Sequence, residues 1–134
     1  MIRVFVDTSA WFAYISSDDP DHAATKKALG DHAAGRVTSN YVFDELVTLV
    51  RLRVGHAAAV KAGATLRGSG DLEIVRVLPA DEDEAWNVFE RHRDKEYSFT
   101  DCTSFSLMRR LGIETALATD RHFRQAGFKV EPGG

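Results

Sequence analysis

Met1-Ile2-Arg3-Val4-Phe5-Val6-Asp7-Thr8-Ser9-Ala10 begins with an apolar, largely β-branched run that stops on an acid and two hydroxyls. Residues 2–6 suit a strand buried on both faces, and such strands belong to parallel sheets covered by helices. Asp7-Thr8-Ser9 ends that strand, and Ala10–Ile15 reads as a short helix. An acid placed directly after a buried strand lies at the edge of the core, where an unpaired charge is costly. It needs a backbone amide to cap, a basic neighbour or a cation.

The same alternation continues outward. Asp18-Asp19-Pro20 is a turn that leads into a helix over His22–Ala34, closed at Gly35. Arg36-Val37-Thr38 is a second strand. Val42, Leu46, Leu49 and Val50 then recur at helical spacing within Tyr41–Arg53. A further helix over Ala57–Arg67 ends in Gly68-Ser69-Gly70, and Leu72–Val77 is a third strand. The acidic run Asp81-Glu82-Asp83-Glu84 opens a helix reaching about Arg93, as the macrodipole favours. Asp101–Leu111 is another helix, Thr115–Ala118 a fourth strand and Arg121–Ala126 a short helix. Phe128–Val130 forms a last strand before the tail Pro132-Gly133-Gly134. Strands alternating with helices predict an α/β fold, a three-layer α/β/α sandwich around a central parallel sheet. Open sheets of this kind place their sites beyond the carboxyl ends of the strands.

Four acids fall where that rule looks. Asp7 and Asp120 each follow closely on a predicted strand, Asp101 opens a helix, and Glu45 lies near the start of one. Hard cations such as Mg²⁺ and Mn²⁺ prefer oxygen ligands, and a few converging carboxylates suffice to hold them. Each acid also has a plainer reading. Asp7, Asp101 and Asp120 fit helix caps, and Glu45 beside Asp44 fits first-turn dipole decoration. Spacing alone leaves both readings open.

Composition narrows the rest. A chain of 134 residues with 44% hydrophobic and 28% charged residues is expected to form one domain, residues 1–134, with an ordinary globular core. Its longest uncharged apolar stretches fall well short of a membrane span of about 20 residues. The first residues carry no signal-peptide pattern, and Cys102 is the single cysteine, so a reducing cytoplasm is the expected home. The formal charge of −3 argues against broad electrostatic binding of nucleic acid. Its distribution qualifies that: residues 1–67 carry eight Lys/Arg and seven Asp/Glu, while residues 68–134 carry nine and thirteen. A cation held by some of those acids would return the local charge toward neutral. No glycine-rich phosphate loop and no H-E-x-x-H zinc spacing occurs. A phosphoaspartate phosphatase would carry a second Asp where Ser9 stands. Asp18, Asp19 and Asp21 read as a turn and its caps, and the five histidines as surface or helix-end residues, with His122 the exception to test because it follows Asp120 closely. Trp11, Phe12, Tyr14, Phe43, Trp86 and Phe89 read as core or interface packing residues. Arg51, Arg53, Arg109, Arg110, Arg121 and Arg124 are the candidates for phosphate contact.

Taken in order, Val4-Phe5-Val6-Asp7-Thr8-Ser9-Ala10, Tyr41-Val42-Phe43-Asp44-Glu45-Leu46, Ser98-Phe99-Thr100-Asp101-Cys102-Thr103-Ser104 and Ala118-Thr119-Asp120-Arg121-His122-Phe123 resemble the PIN-domain nucleases. The subgroup they are most similar to is the stand-alone toxins of toxin–antitoxin pairs, the VapC-like type. The resemblance spans essentially the whole chain. It implies an acidic pocket binding Mg²⁺ or Mn²⁺ through Asp7, Glu45, Asp101 and Asp120, with Thr8 or Ser9, and Thr119, as hydroxyl positions beside the metals. It also implies endonucleolytic cleavage of RNA, a homodimer and a cognate antitoxin partner. The apolar faces of residues 9–15 and 41–50 are the expected dimer surfaces. One departure concerns the last motif, where some relatives place a further acid and this chain has Arg121 and His122. Two other readings share parts of this pattern: a non-catalytic RNA-binding or scaffolding domain, and a structure-specific DNA nuclease. The first has no reason to keep four costly acids, and the second usually brings DNA-binding elements for which this chain has no room.

Overall fold

The computed structural model describes residues 2–133. Met1 and Gly134, the ends of the expected opening segment and tail, lie outside the described residues. Five strands form one sheet: β1 (Val4–Val6), β2 (Arg36–Ser39), β3 (Leu72–Val75), β4 (Thr115–Leu117) and β5 (Lys129–Glu131). Their order is β3-β2-β1-β4-β5, and every neighbouring pair is parallel. The central strand β1 is wholly buried, as its unbroken apolar run requires. Phe5 registers with Val37 of β2 on one side and with Ala116 of β4 on the other.

Among the described residues the connections are seven helices. These are α1 (Thr8–Ile15), α2 (His22–Asp31), α3 (Asn40–Arg53), α4 (His56–Gly68), α5 (Pro79–Arg91), α6 (Phe99–Leu111) and α7 (His122–Gln125). From β1 the chain steps outward to β2 and β3, then crosses back to β4 and β5 on the far side of β1. Right-handed crossovers running in opposite directions put helices on both faces of the sheet. The reversal also makes the carboxyl ends of β1 and β4 the switch point of the sheet, where such folds open a crevice.

The elements match the expected ones in kind and order, with ends displaced by a residue or two. The largest displacement is in α2, expected to reach Ala34 but ending at Asp31. Residues 32–34 form turns, and Gly35 follows because a Cβ there would stand 2.1 Å from the carbonyl oxygen of Ile2. Two corrections concern surfaces. Val42, Leu46 and Val50 of α3 are buried in the chain's own core, so the apolar face of residues 41–50 is not free for a partner. Trp86 and Phe89, read as core or interface packing residues, are 54% and 41% exposed on α5, which excludes the core half of that reading.

Candidate active site

The switch point is built from the end of β1. The Asp7 amide donates to the Leu117 carbonyl at 3.0 Å, which ties the ends of β1 and β4 together. Asp7 is also the N-cap of α1: its Oδ2 accepts from the Ser9 amide at 3.2 Å and the Ser9 hydroxyl at 2.7 Å. Ser9 Oγ in turn accepts from the Thr119 amide at 3.0 Å. The capping reading is therefore correct, and it uses only one carboxylate oxygen. Asp7 Oδ1 is buried without a hydrogen-bond partner, and so is the neighbouring Thr8 Oγ1.

Of the two readings open for Asp101, the cap is excluded: it stands at the third helical position. Ser98 is the N-cap, three residues earlier. The two residues form a reciprocal capping box: Ser98 Oγ accepts from the Asp101 amide at 2.9 Å, and Asp101 Oδ2 accepts from the Ser98 amide at 3.0 Å. The same Oδ2 accepts from His122 Nδ1 at 2.8 Å. Asp120 follows β4, and its Oδ1 accepts from the His122 amide at 3.0 Å. Glu45 is half-buried in α3, which begins at Asn40 and has no acid in its first turn, so dipole decoration does not explain it. Asp7, Glu45, Asp101, Thr119 and Asp120 all line one cavity of about 340 Å³, together with Thr8, Ser9 and Ser98.

Clustering these carboxylates has an electrostatic cost. The Asp7 carboxyl is pushed up to about 8, first by burial and then by the charges of Asp101 and Asp120. Burial also raises Asp101, with Asp120 adding to it and the Ser98 amide and His122 working against it. Among the described residues no three His, Cys, Asp or Glu side chains are gathered into a ready ligand cage. The donors that face the cavity still suit a hard cation. They are oxygens of like charge with only Arg53 and His122 as basic neighbours, and Asp7 Oδ1 is left without any protein partner among the described residues.

Several residues at this cavity escaped the sequence reading. His122, expected at the surface, is 21% exposed and bonds Asp101; its place two residues after Asp120 was the available signal. Ser98 was signalled by the spacing Ser98-x-x-Asp101. Asp19 does turn the chain, accepting from the Asp21 amide at 2.8 Å, but it also borders the cavity, which nothing local in the sequence indicates. Of the candidate phosphate contacts, Arg53 borders the cavity with its guanidinium 5.3 Å from the centre of the Phe12 ring. Arg110 is tied up elsewhere, in a bidentate pair with Asp81 at 2.8 and 2.9 Å. Arg109 likewise bonds the Ala126 carbonyl at 3.2 Å.

Comparison with known proteins bears on this geometry. The family profile described as the PIN domain matches residues 4–129. The chain is 42% identical over 130 residues to the 23S rRNA-specific endonuclease VapC20 of Mycobacterium tuberculosis, covering 96% of this chain and 98% of the relative. The crystal structure of that VapC20, titled a sarcin–ricin loop cleaving toxin, superimposes with a TM-score of 0.88 at 41% identity over 93% of this chain and 95% of the other. Ribonuclease VapC26 of the same species is 33% identical over 121 residues, 90% of this chain and 89% of the relative. DNA-bound VapBC of Salmonella typhimurium shares the fold, with a TM-score of 0.71 at 12% identity over 98% of both chains.

Proposed function

The chain belongs to the PIN-domain family, and from that premise we propose that it is a divalent-cation-dependent endoribonuclease, the toxin of a toxin–antitoxin pair. The observation that carries this reading is the buried, partnerless Oδ1 of Asp7 at the switch point of the sheet, in a cavity shared with Glu45, Asp101 and Asp120. These four acids are the proposed ligands of Mg²⁺ or Mn²⁺. When bound, the cation lowers the pKa of water and offsets charge on the phosphodiester.

The protein's own part is to prepare the donors. Ser9 holds Asp7 and the Thr119 backbone in one chain of hydrogen bonds, so the ends of β1 and β4 keep their spacing. Ser98 and His122 hold Asp101 by one oxygen. Arg53, braced on Phe12 beside the acids, is placed to meet a phosphate of the RNA backbone. No histidine is needed as the base. Hydrolysis of this kind leaves 5′-phosphate and 3′-hydroxyl ends and does not require the 2′-hydroxyl at the scissile bond.

The names of the relatives make large-subunit ribosomal RNA the first substrate to test. We expect purified protein to cut it with Mg²⁺ or Mn²⁺ and not with EDTA, giving 5′-phosphate ends. Cuts that persist in EDTA, or 2′,3′-cyclic phosphate ends, would refute the mechanism. Among the described residues no helix is long and apolar enough to cross a membrane. The proposed setting is the cytoplasm, with an antitoxin that sets a basic side chain near the acidic cavity. The proposed homodimer uses the exposed aromatic cluster of α5, where Trp86 and Phe89 stack on each other at 6.0 Å and Phe99 at the start of α6 stands 6.5 and 6.3 Å from their rings.

A further inference from the structure

Three of the acids share a pattern of hydrogen bonding. Asp7 is tied through Oδ2 by Ser9 and leaves Oδ1 without a partner. Asp101 is tied through Oδ2 by Ser98 and His122, and among the described residues nothing donates to its Oδ1. Asp120 is tied through Oδ1 by the His122 amide. His122 thus takes part in two of these tethers, bonding Asp101 with its ring and Asp120 with its backbone amide, while Nδ1 also stands 3.8 Å from Asp120 Oδ2.

The position of His122 is set by the core and not by the acids. The next residue, Phe123, is fully buried, with its ring 6.3 Å from Phe5 of β1 and 5.0 Å from Phe105 of α6. The imidazole stands edge-on to the buried ring of Tyr97 at 5.9 Å. With Asp101 ionised, the bond at 2.8 Å requires the hydrogen to sit on Nδ1. We propose that His122 is a positioning residue of the site: its Nδ1–H locks the Asp101 carboxylate by Oδ2, so that Oδ1 is the oxygen presented to the cation. This rests on Asp101 being a cation ligand, as proposed above. It assigns the ring no part in proton transfer to or from the RNA.

Calorimetric titration of Mn²⁺ into RNA-free protein tests this, using wild type, Asp101→Asn, His122→Ala, His122→Asn and His122→Gln. Thermal midpoints in EDTA confirm that each variant is folded. Asparagine can place its amide nitrogen where Nδ1 stands, whereas glutamine carries its amide one bond further out. His122→Ala and His122→Gln are expected to weaken Mn²⁺ binding roughly 10- to 100-fold, the usual cost of losing an outer partner of a ligand. His122→Asn is expected to recover most of it, in binding and in RNA cleavage alike. Wild-type affinity in His122→Ala, with Asp101→Asn impaired, would overturn the role of His122 and leave the site standing. Asparagine and glutamine variants equally weak would overturn it too, and remain informative if the alanine variant does not fold. A wild type that binds no Mn²⁺ would bring down the site assignment itself.

Discussion

Asp7 is a helix cap and, in the proposed function, a site residue at once, and the division runs between its two oxygens. The cap uses Oδ2, while Oδ1 stays buried without a partner. The consequence is measurable without RNA. In the metal-free protein Asp7 holds its proton up to about pH 8, whereas in the unfolded chain it ionises near its ordinary 3.8. Between those values the folded state binds the extra proton, so this group's contribution to stability falls as pH rises through the window. Asp7→Asn removes that dependence. Urea unfolding in EDTA should therefore show the variant gaining on wild type as pH rises from about 5 to about 8; a constant difference would contradict the raised carboxyl. The sequence made Asp7, Asp101 and Asp120 visible because each follows a break in an apolar or helical pattern. His122 was not visible in the same way. Its role depends on α6 and α7 meeting in space, and a histidine in a short helix looks alike at the surface and at a site.

At the scale of elements, the site depends on α5 and α6 packing correctly, since α6 carries Asp101. Asp81 in the first turn of α5 is only 4% exposed and is gripped by Arg110 from α6. Burial alone would raise its carboxyl, but the Arg110 guanidinium and the Leu78 amide outweigh burial and hold it below the ordinary range. Arg110→Ala leaves that buried carboxylate with the Leu78 amide as its remaining donor, and should destabilise the fold by about 1–3 kcal/mol. An unchanged urea midpoint would show that water replaces the guanidinium freely. The acidic run 81–84 had been legible as a helix start. Which of its four acids turns inward was not, because the partner is 29 positions away in the chain. The strands were legible for the opposite reason, since each is a short local run of apolar or β-branched residues closed by a turn or a helix start.

The whole molecule brings its acids together by the order of its strands. Because β4 returns to the far side of β1, residues more than a hundred positions apart, Ser9 and Thr119, are hydrogen-bonded neighbours. The alternation of elements predicted that layered sheet, and the sheet predicted which edge to inspect. What the alternation could not supply was the outer surface. The faces first expected to pair between copies are partly consumed in the core, and the aromatic pair on α5 is exposed instead. Sedimentation equilibrium should find a dimer in wild type and a monomer in Trp86→Glu, with Mn²⁺ affinity retained per chain. A dimer that survives this change would place the interface elsewhere.

The central claim is that these carboxylates hold the cation that cuts RNA. Its most direct test is cleavage of labelled large-subunit ribosomal RNA in Mn²⁺ by wild type and Asp101→Asn, both shown to be folded. The account predicts metal-dependent cuts by wild type and a loss of at least about a hundredfold in the variant, since the change removes a charged ligand at the reacting centre. An Asp101→Asn protein that cuts at the wild-type rate would contradict it.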